Sequence, residues 1–360
     1  MNDAQPGSRL IRVLVADDSA FMRTALTRMI ESDPSLRVSD TAQNGSEALE
    51  KIRLNQPDVV TLDVEMPGLD GLETLRRIMK DFPRPVIMVS SLTQEGAEIT
   101  LEALDIGAFD YVPKQLSYVS LDIIKIRDEL IAKIKAAAET GRRVIKKTPV
   151  SAAVSNAPAP TTFSVVPEIV ALGTSTGGPK ALQQILPLLP SDLPVSLLIV
   201  QHMPAGFTGP FARRLDNLCK ISVREATQGE AISPGVVYIA PAGHHMTISR
   251  QASSTVAIHL SHSPEGMLHK PSVDVMMLSA ADIFRGLCMG IIMTGMGADG
   301  LQGMRAIANA GGLTVGQDEA SCTVYGMPRS CAEAGVLRRV VPLNDIPAVI
   351  LQATRYRKRA

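Results

Sequence analysis

Twice along this chain of 360 residues, short aliphatic runs alternate with stretches whose apolar residues recur at three- and four-residue spacing. A segment with neither period lies between the two halves. Strands alternating with helices force crossover connections, and crossovers force parallel sheets covered by helices on both faces. In the first half, Ile11–Ala16, Leu36–Thr41, Val59–Asp63, Val86–Ser90 and Phe109–Val112 read as strands. Phe21–Ile30, Gly45–Leu54, Gly71–Met79 and Glu95–Leu104 carry the helical period. A longer helix, about Leu121–Ala138, closes this unit.

Composition then shifts. Arg142, Arg143, Lys146 and Lys147 precede Ser151–Val166, a stretch rich in Pro, Ala and Ser without periodicity, which reads as a semi-flexible linker. Alternation resumes with strands at Glu168–Gly173, Val195–Val200, Val236–Ala240, Leu287–Thr294 and Leu313–Gly316. Helices are predicted at Ala181–Leu189, Phe207–Leu218, Val273–Ile283 and Leu301–Ala310. The expected organisation is an α/β domain over 10–135, a linker over 136–165, a second α/β domain over 166–354, and a basic tail at 355–360.

Charge sharpens this division. The chain holds 36 basic and 36 acidic residues, but residues 1–140 carry 16 and 23 of them, so an acidic first domain is balanced by basic flanking segments. That balance argues against a nucleic-acid protein held by a broad basic surface. No apolar run approaches membrane-spanning length, and no secretory leader precedes the first strand. The four cysteines, Cys219, Cys288, Cys322 and Cys331, show no metal-type spacing and read as reduced thiols. Together these point to a cytoplasmic protein without membrane insertion.

In parallel sheets, function gathers at the carboxyl ends of the strands. In the first domain Asp17 and Asp18 follow the first strand, Asp63 ends the third, Ser90 ends the fourth and Lys114 follows the fifth. Clustered carboxylates suit a hard divalent cation such as Mg²⁺, with the lysine and hydroxyl able to hold phosphate oxygens. The motifs LVADDS, TLDVEMPGLDG, MVSS and YVPK make this stretch resemble the receiver domain of two-component response regulators. The resemblance implies a flavodoxin-like, five-stranded parallel sheet. It also implies that Asp63 accepts a phosphoryl group from a histidine kinase. Asp17, Asp18 and Asp63 would bind Mg²⁺ with the backbone carbonyl of Glu65, Ser90 and Lys114 would sense the phosphate, and Tyr111 would be an aromatic switch.

The second domain opens on Gly173-Thr174-Ser175-Thr176-Gly177, a G-x-S-x-G turn between a strand and a helix. The next strand ends in Gln201-His202, and a later one leads to Asp299. Ser175, His202 and Asp299 therefore converge on one sheet edge, where the imidazole can take the serine proton and the carboxylate can orient the imidazole. The order Ser, His, Asp differs from that of ordinary α/β-hydrolases. A competing pattern, Gly295-x-Gly297-x-x-Gly300 with Asp318 and Glu319 beyond it, spells a dinucleotide-binding fingerprint, although little chain remains after it. His244, His245, His259 and His262 read as surface histidines, and Met276, Met277 and Leu278 as core.

The stretches GTSTGGP, QHMP, IAPAGHH, KPSVDVM, MTGMGADG and YGMPR make residues 165–352 resemble the catalytic domain of the chemotaxis protein-glutamate methylesterase (CheB) family. The resemblance implies a doubly wound, mainly parallel sheet and a serine esterase that needs no cofactor. Its substrates would be glutamate methyl esters on the cytoplasmic helices of chemoreceptors, with receptor glutamines deamidated in addition. The turn at Thr176 and the N–H of Met296 would stabilise the oxyanion, and the receiver would inhibit until Asp63 is phosphorylated. Taken on residues alone, two other outputs stay open: a nucleotide-binding domain at Gly295–Gly300, or a non-catalytic module that docks receptors.

Overall fold

The run Ile11–Ala16 forms β1, buried along almost its whole length, because a strand covered by helices on both faces has no solvent side. A computed structural model describes residues 9–114, 120–146, 165–252 and 255–357. They fall into two units, each with its own sheet.

In the first unit β1 is followed by α1 (Ala20–Glu31), β2 (Leu36–Ala42), α2 (Gly45–Asn55), β3 (Val59–Asp63), α3 (Gly71–Asp81), β4 (Val86–Ser90), α4 (Gln94–Ile106), β5 (Asp110–Pro113) and α5 (Ser120–Lys146). The sheet is parallel in the order β2-β1-β3-β4-β5, which places its topological switch point between β1 and β3. Side chains of Ser19, Asn44, Asp70 and Thr93 accept hydrogen bonds from the opening turns of α1 to α4 and fix where each helix begins. Helix α5 runs well past the predicted end at Ala138, so Arg142, Arg143 and Lys146 belong to a helix and not to the linker. Its apolar face, with Leu130, Ile134, Ala137 and Ala138 buried, stops there, but nothing breaks the backbone. Gly141 sits where Pro85 approaches too closely for a side chain. Lys147 and nearly all of the Pro-Ala-Ser stretch lie outside the described residues, as do the last three of the basic tail.

The second unit runs β6 (Ile169–Thr174), α6 (Gly178–Ile185), β7 (Ser196–Gln201), α7 (Thr208–Leu218), β8 (Ser222–Glu225), β9 (Val236–Ile239), β10 (His245–Arg250), β11 (Val256–Ser261), α8 (Val273–Phe284), β12 (Cys288–Ile292), α9 (Leu301–Asn309), β13 (Leu313–Gln317), α10 (Met327–Glu333), β14 (Arg339–Val341) and α11 (Ile346–Ala353). Its main sheet has the order β14-β13-β12-β6-β7-β9-β8, with every pairing parallel. β10 and β11 pair antiparallel apart from it. The sheet winds outward in both directions from β6, so the strand ends of β6, β7 and β12 share the central crevice. The predicted helix Ala181–Leu189 tightens into a 3₁₀ turn at Leu186–Leu188, where Pro187 removes a donor. Aliphatic residues and methionines fill the core, with Tyr238, Phe207 and Phe211 as its large aromatic members. Met276 and Met277 are buried there as expected, whereas Leu278 faces outward. No helix among the described residues is long and apolar enough to cross a membrane.

Candidate functional site

Ser175 sits on the turn that leaves β6. Its N–H donates to Thr294 O (3.0 Å) and its carbonyl accepts from Gly178 N (2.8 Å), which bends the chain into α6. Gly177 makes the turn possible with φ of 77°. The carbonyl of Ser175 also accepts from Gln201 Nε2 (3.0 Å), and the Thr294 hydroxyl donates to Thr176 O (2.9 Å). Gln201, Thr294 and Thr174 are buried polar residues that tie the ends of β6, β7 and β12 together. The N–H groups of Thr176 and Met296 donate to no partner among the described residues.

His202 follows β7, with its backbone N–H on Thr174 O (3.2 Å). Its Nε2 lies 2.8 Å from Asp299 Oδ2. A carboxylate accepts, so Nε2 carries the proton and Nδ1 keeps the lone pair. Nδ1 is buried and has no hydrogen-bond partner among the described residues, and no hydrogen bond joins it to Ser175. The ring stacks on His269, centroids 4.0 Å apart and tilted by 19°. Asp299 is held from a second element. Its Oδ1 accepts from Ser272 Oγ (2.9 Å) and Asp274 N (3.0 Å), and Oδ2 from Val273 N (2.8 Å), so the carboxylate sits on the first turn of α8. Burial would raise its pKa, but the hydrogen bond and charge of His202 and the N–H groups of Asp274 and Val273 hold it far below the ordinary range.

The first glycine of the 295–300 pattern is spent on bonds inside the protein. Gly295 donates to Val324 O, and its carbonyl accepts from both Gly326 and Met327. A side chain on Gly295 would strike Met327 Sδ and Ser175 Cβ. The N–H of Gly295, the first donor of that pattern, is thus taken by Val324, and Gly300 opens α9 at φ of 99°.

Among the other histidines, His259 and His262 are exposed as predicted, with the His262 ring on His244 (4.4 Å). His245 corrects the prediction. It opens β10, is fully buried, and its ring bridges Pro264 O (3.2 Å) and Ser272 N (3.2 Å). Adjacent positions entering a strand point to opposite faces, so one histidine of the pair turns inward. Burial and the Lys270 charge push its pKa down. His269, Gln201, Thr294 and Ser272 are the site residues that sequence reasoning missed. The signals available were the last residue before His202 and the serine inside KPSVDVM.

At the edge of the first sheet, Asp17, Asp18 and Asp63 bring carboxylate oxygens within 4.8 Å of one another. Lys114 Nζ reaches Asp63 Oδ2 at 2.6 Å and Asp17 Oδ2 at 3.2 Å. Asp17 and Asp63 are buried, and burial together with the Asp17 charge pushes Asp63 up to about 6 against the pull of Lys114. Glu65 donates its N–H to Asp63 Oδ1 (3.1 Å). Ser90 stands apart from the cluster: its hydroxyl donates to Gly96 O (3.2 Å) and accepts from Thr100 Oγ1 (2.8 Å), both on α4. Tyr111 is buried beside α5, with Lys133 Nζ 5.2 Å from its ring centroid. Asp17 Oδ2 is buried with Lys114 as its cationic neighbour, the kind of oxygen a divalent cation would take up.

Comparison with known proteins agrees with both domains. Residues 13–123 match the response regulator receiver domain and residues 170–350 match CheB methylesterase. A protein-glutamate methylesterase/protein-glutamine glutaminase of Nitratidesulfovibrio vulgaris is 47% identical over 95% of this chain and 99% of its own. One from Pyrococcus horikoshii is 46% identical, over 96% and 94%. The crystal structure of the CheB methylesterase catalytic domain of Thermotoga maritima superposes with a TM-score of 0.51 at 39% identity, covering 52% of this chain and 99% of that one. Two sheet edges, one acidic and one carrying serine, histidine and aspartate, thus occur in the order its relatives share, and the chain belongs to the CheB methylesterase family, with a response regulator receiver domain ahead of the methylesterase domain.

Proposed function

We propose that this chain is a phosphorylation-regulated serine esterase that hydrolyses glutamate methyl esters on chemoreceptor helices, releasing methanol, and deamidates receptor glutamines at the same site. The observation that carries the mechanism is the state of His202. With Nε2 committed to Asp299, the buried Nδ1 is the base at the end of β7, beside the strand that ends at Ser175. This reverses the ring edges used by chymotrypsin-like triads, where Nε2 faces the serine. Nδ1 takes the Ser175 proton as Oγ attacks the ester carbonyl. The unpartnered N–H groups of Thr176 and Met296 receive the oxyanion, and Asp299 stabilises the imidazolium. The proton then passes to the departing methoxide, a glutamyl ester remains on Ser175, and His202 activates water to release glutamate. An amide carbonyl fits the same arrangement, with ammonia as the leaving group.

The acidic edge of the receiver accepts the control signal. Asp63 is the phosphoacceptor for a histidine kinase, and Asp17, Asp18, Asp63 and the Glu65 carbonyl are the residues that would hold Mg²⁺. When bound, Mg²⁺ would offset the charge of the incoming phosphoryl group. Lys114 pairs with the phosphoryl oxygens, and Ser90 must leave α4 to reach them. Phosphorylation shifts an equilibrium between inhibited and open arrangements of the two units.

The test is methanol release from methylated receptor membranes by the full chain, with and without a small phosphodonor. The donor should raise the rate, and Ser175→Ala should lower it by about 10³-fold or more. Methanol release by the Ser175→Ala chain at the wild-type rate would overturn the assignment.

A further inference from the structure

The segment Tyr325–Arg329 takes no part in the chemistry above, yet it lies directly against it. Tyr325 pairs with Gly295 in a parallel bridge, and Gly295 has Ser175 on its other side. Arg329 projects from the first turn of α10, its guanidinium 5.6 Å from the Tyr325 ring centroid. Its Nη2 lies 4.0 Å from Glu319 Oε1, and both side chains are about half exposed (51% and 53%). A planar cation thus rests over a ring beneath it and beside an anion, each contact weak because both charged groups are exposed. An exposed ion pair of that length is easily exchanged for another carboxylate.

We infer that Arg329 is a substrate-recognition residue that reads a carboxylate on the receptor near the ester being cleaved, with Glu319 holding that place in the free chain. The inference rests on the esterase reading above. Ser175, Gly295 and Tyr325 lie on neighbouring segments, which puts the Tyr325 backbone roughly two strand spacings, about 10 Å, from the nucleophile, with the Arg329 guanidinium over the Tyr325 ring. At about 1.5 Å of rise per residue, a carboxylate one to two turns along a helical substrate falls within its reach. The chemistry gives this a consequence. Every ester hydrolysed leaves a new carboxylate, so cleavage at one position improves the fit of a neighbouring position.

The experiment uses the full chain with a small phosphodonor and a methylated cytoplasmic fragment of a chemoreceptor in two forms. One form keeps the acidic residues within two turns of the ester, and the other has alanine in their place. Methanol release should show kcat/KM about three- to tenfold higher for the acidic form, carried by KM and weakened by added salt. Arg329→Gln should bring the ratio of the two forms to about one, and Arg329→Lys should leave it in between. Equal treatment of the two forms by wild type, or a preference that survives in Arg329→Gln, would overturn the inference. So would an equal loss on both forms in Arg329→Gln, which would make Arg329 a prop for Tyr325 and Gly295. If wild type released no methanol from either form, the esterase reading itself would fail, and that shows before any variant is compared.

Discussion

Each unit carries a key aspartate at the carboxyl edge of its sheet, and the two are set in opposite senses. Asp63 stands with Asp17 and Asp18 around it, and burial with the Asp17 charge outweighs Lys114, so its pKa rises to about 6. Asp299 is only partly buried, and it accepts from His202, Ser272 and two backbone N–H groups of α8, so its pKa falls. Desolvation is common to both; what differs is the sign of the neighbours. Asp63 is left short of compensation, a state that suits a group meant to gain a cation and then a phosphoryl group. Asp299 is compensated at both oxygens, which suits a group that must stay ionised through every turnover.

This contrast can be tested in order of expected effect. Asp299→Asn keeps the shape but replaces a pure acceptor with a group that donates, so His202 loses its tautomer. Methanol release should fall by about 10³- to 10⁴-fold. A loss below tenfold would mean that His202 is oriented by its stack on His269 instead. Asp63→Asn should bring the ratio of rates with and without phosphodonor to about one, from a wild-type ratio in the usual coupling range of roughly 5 to 150. A ratio that stays high would place the phosphoacceptor elsewhere. The smallest effect is on stability in acid. A carboxyl with a depressed folded-state pKa adds stability that is present above about pH 4, its unfolded value, and is lost as pH falls through the folded one. Urea unfolding of the second unit between pH 5 and pH 3 should therefore show stability dropping with pH in wild type, and a shallower drop in Asp299→Asn. Equal slopes would count against a strongly depressed Asp299.

Much of this was legible in the sequence, for identifiable reasons. The strands that carry the site, β1, β3, β6, β7 and β12, are short, mostly apolar runs, and parallel strands buried on both faces write themselves that way. Ser175, His202 and Asp63 follow from position, since each sits at or just after a strand end, and Asp299 follows from the loop that leaves β12. The unforeseen elements are those whose pattern is set by their surroundings. β8 is a half-exposed edge strand, α11 (IPAVILQA) is too short and apolar for its period to show, and β14 is only Arg339–Val341. His269 escaped notice because a loop residue has no period that says what it will stack against. His245 escaped because its burial depends on β10, which leaves the main sheet.

The bond from Asp299 to the first turn of α8 ties catalysis to local folding. On the proposed mechanism the same carboxylate orients the general base and anchors that turn, so local opening of the start of α8 would silence the site while most of the sheet is intact. Inactivation on warming should therefore run ahead of the loss of helical signal.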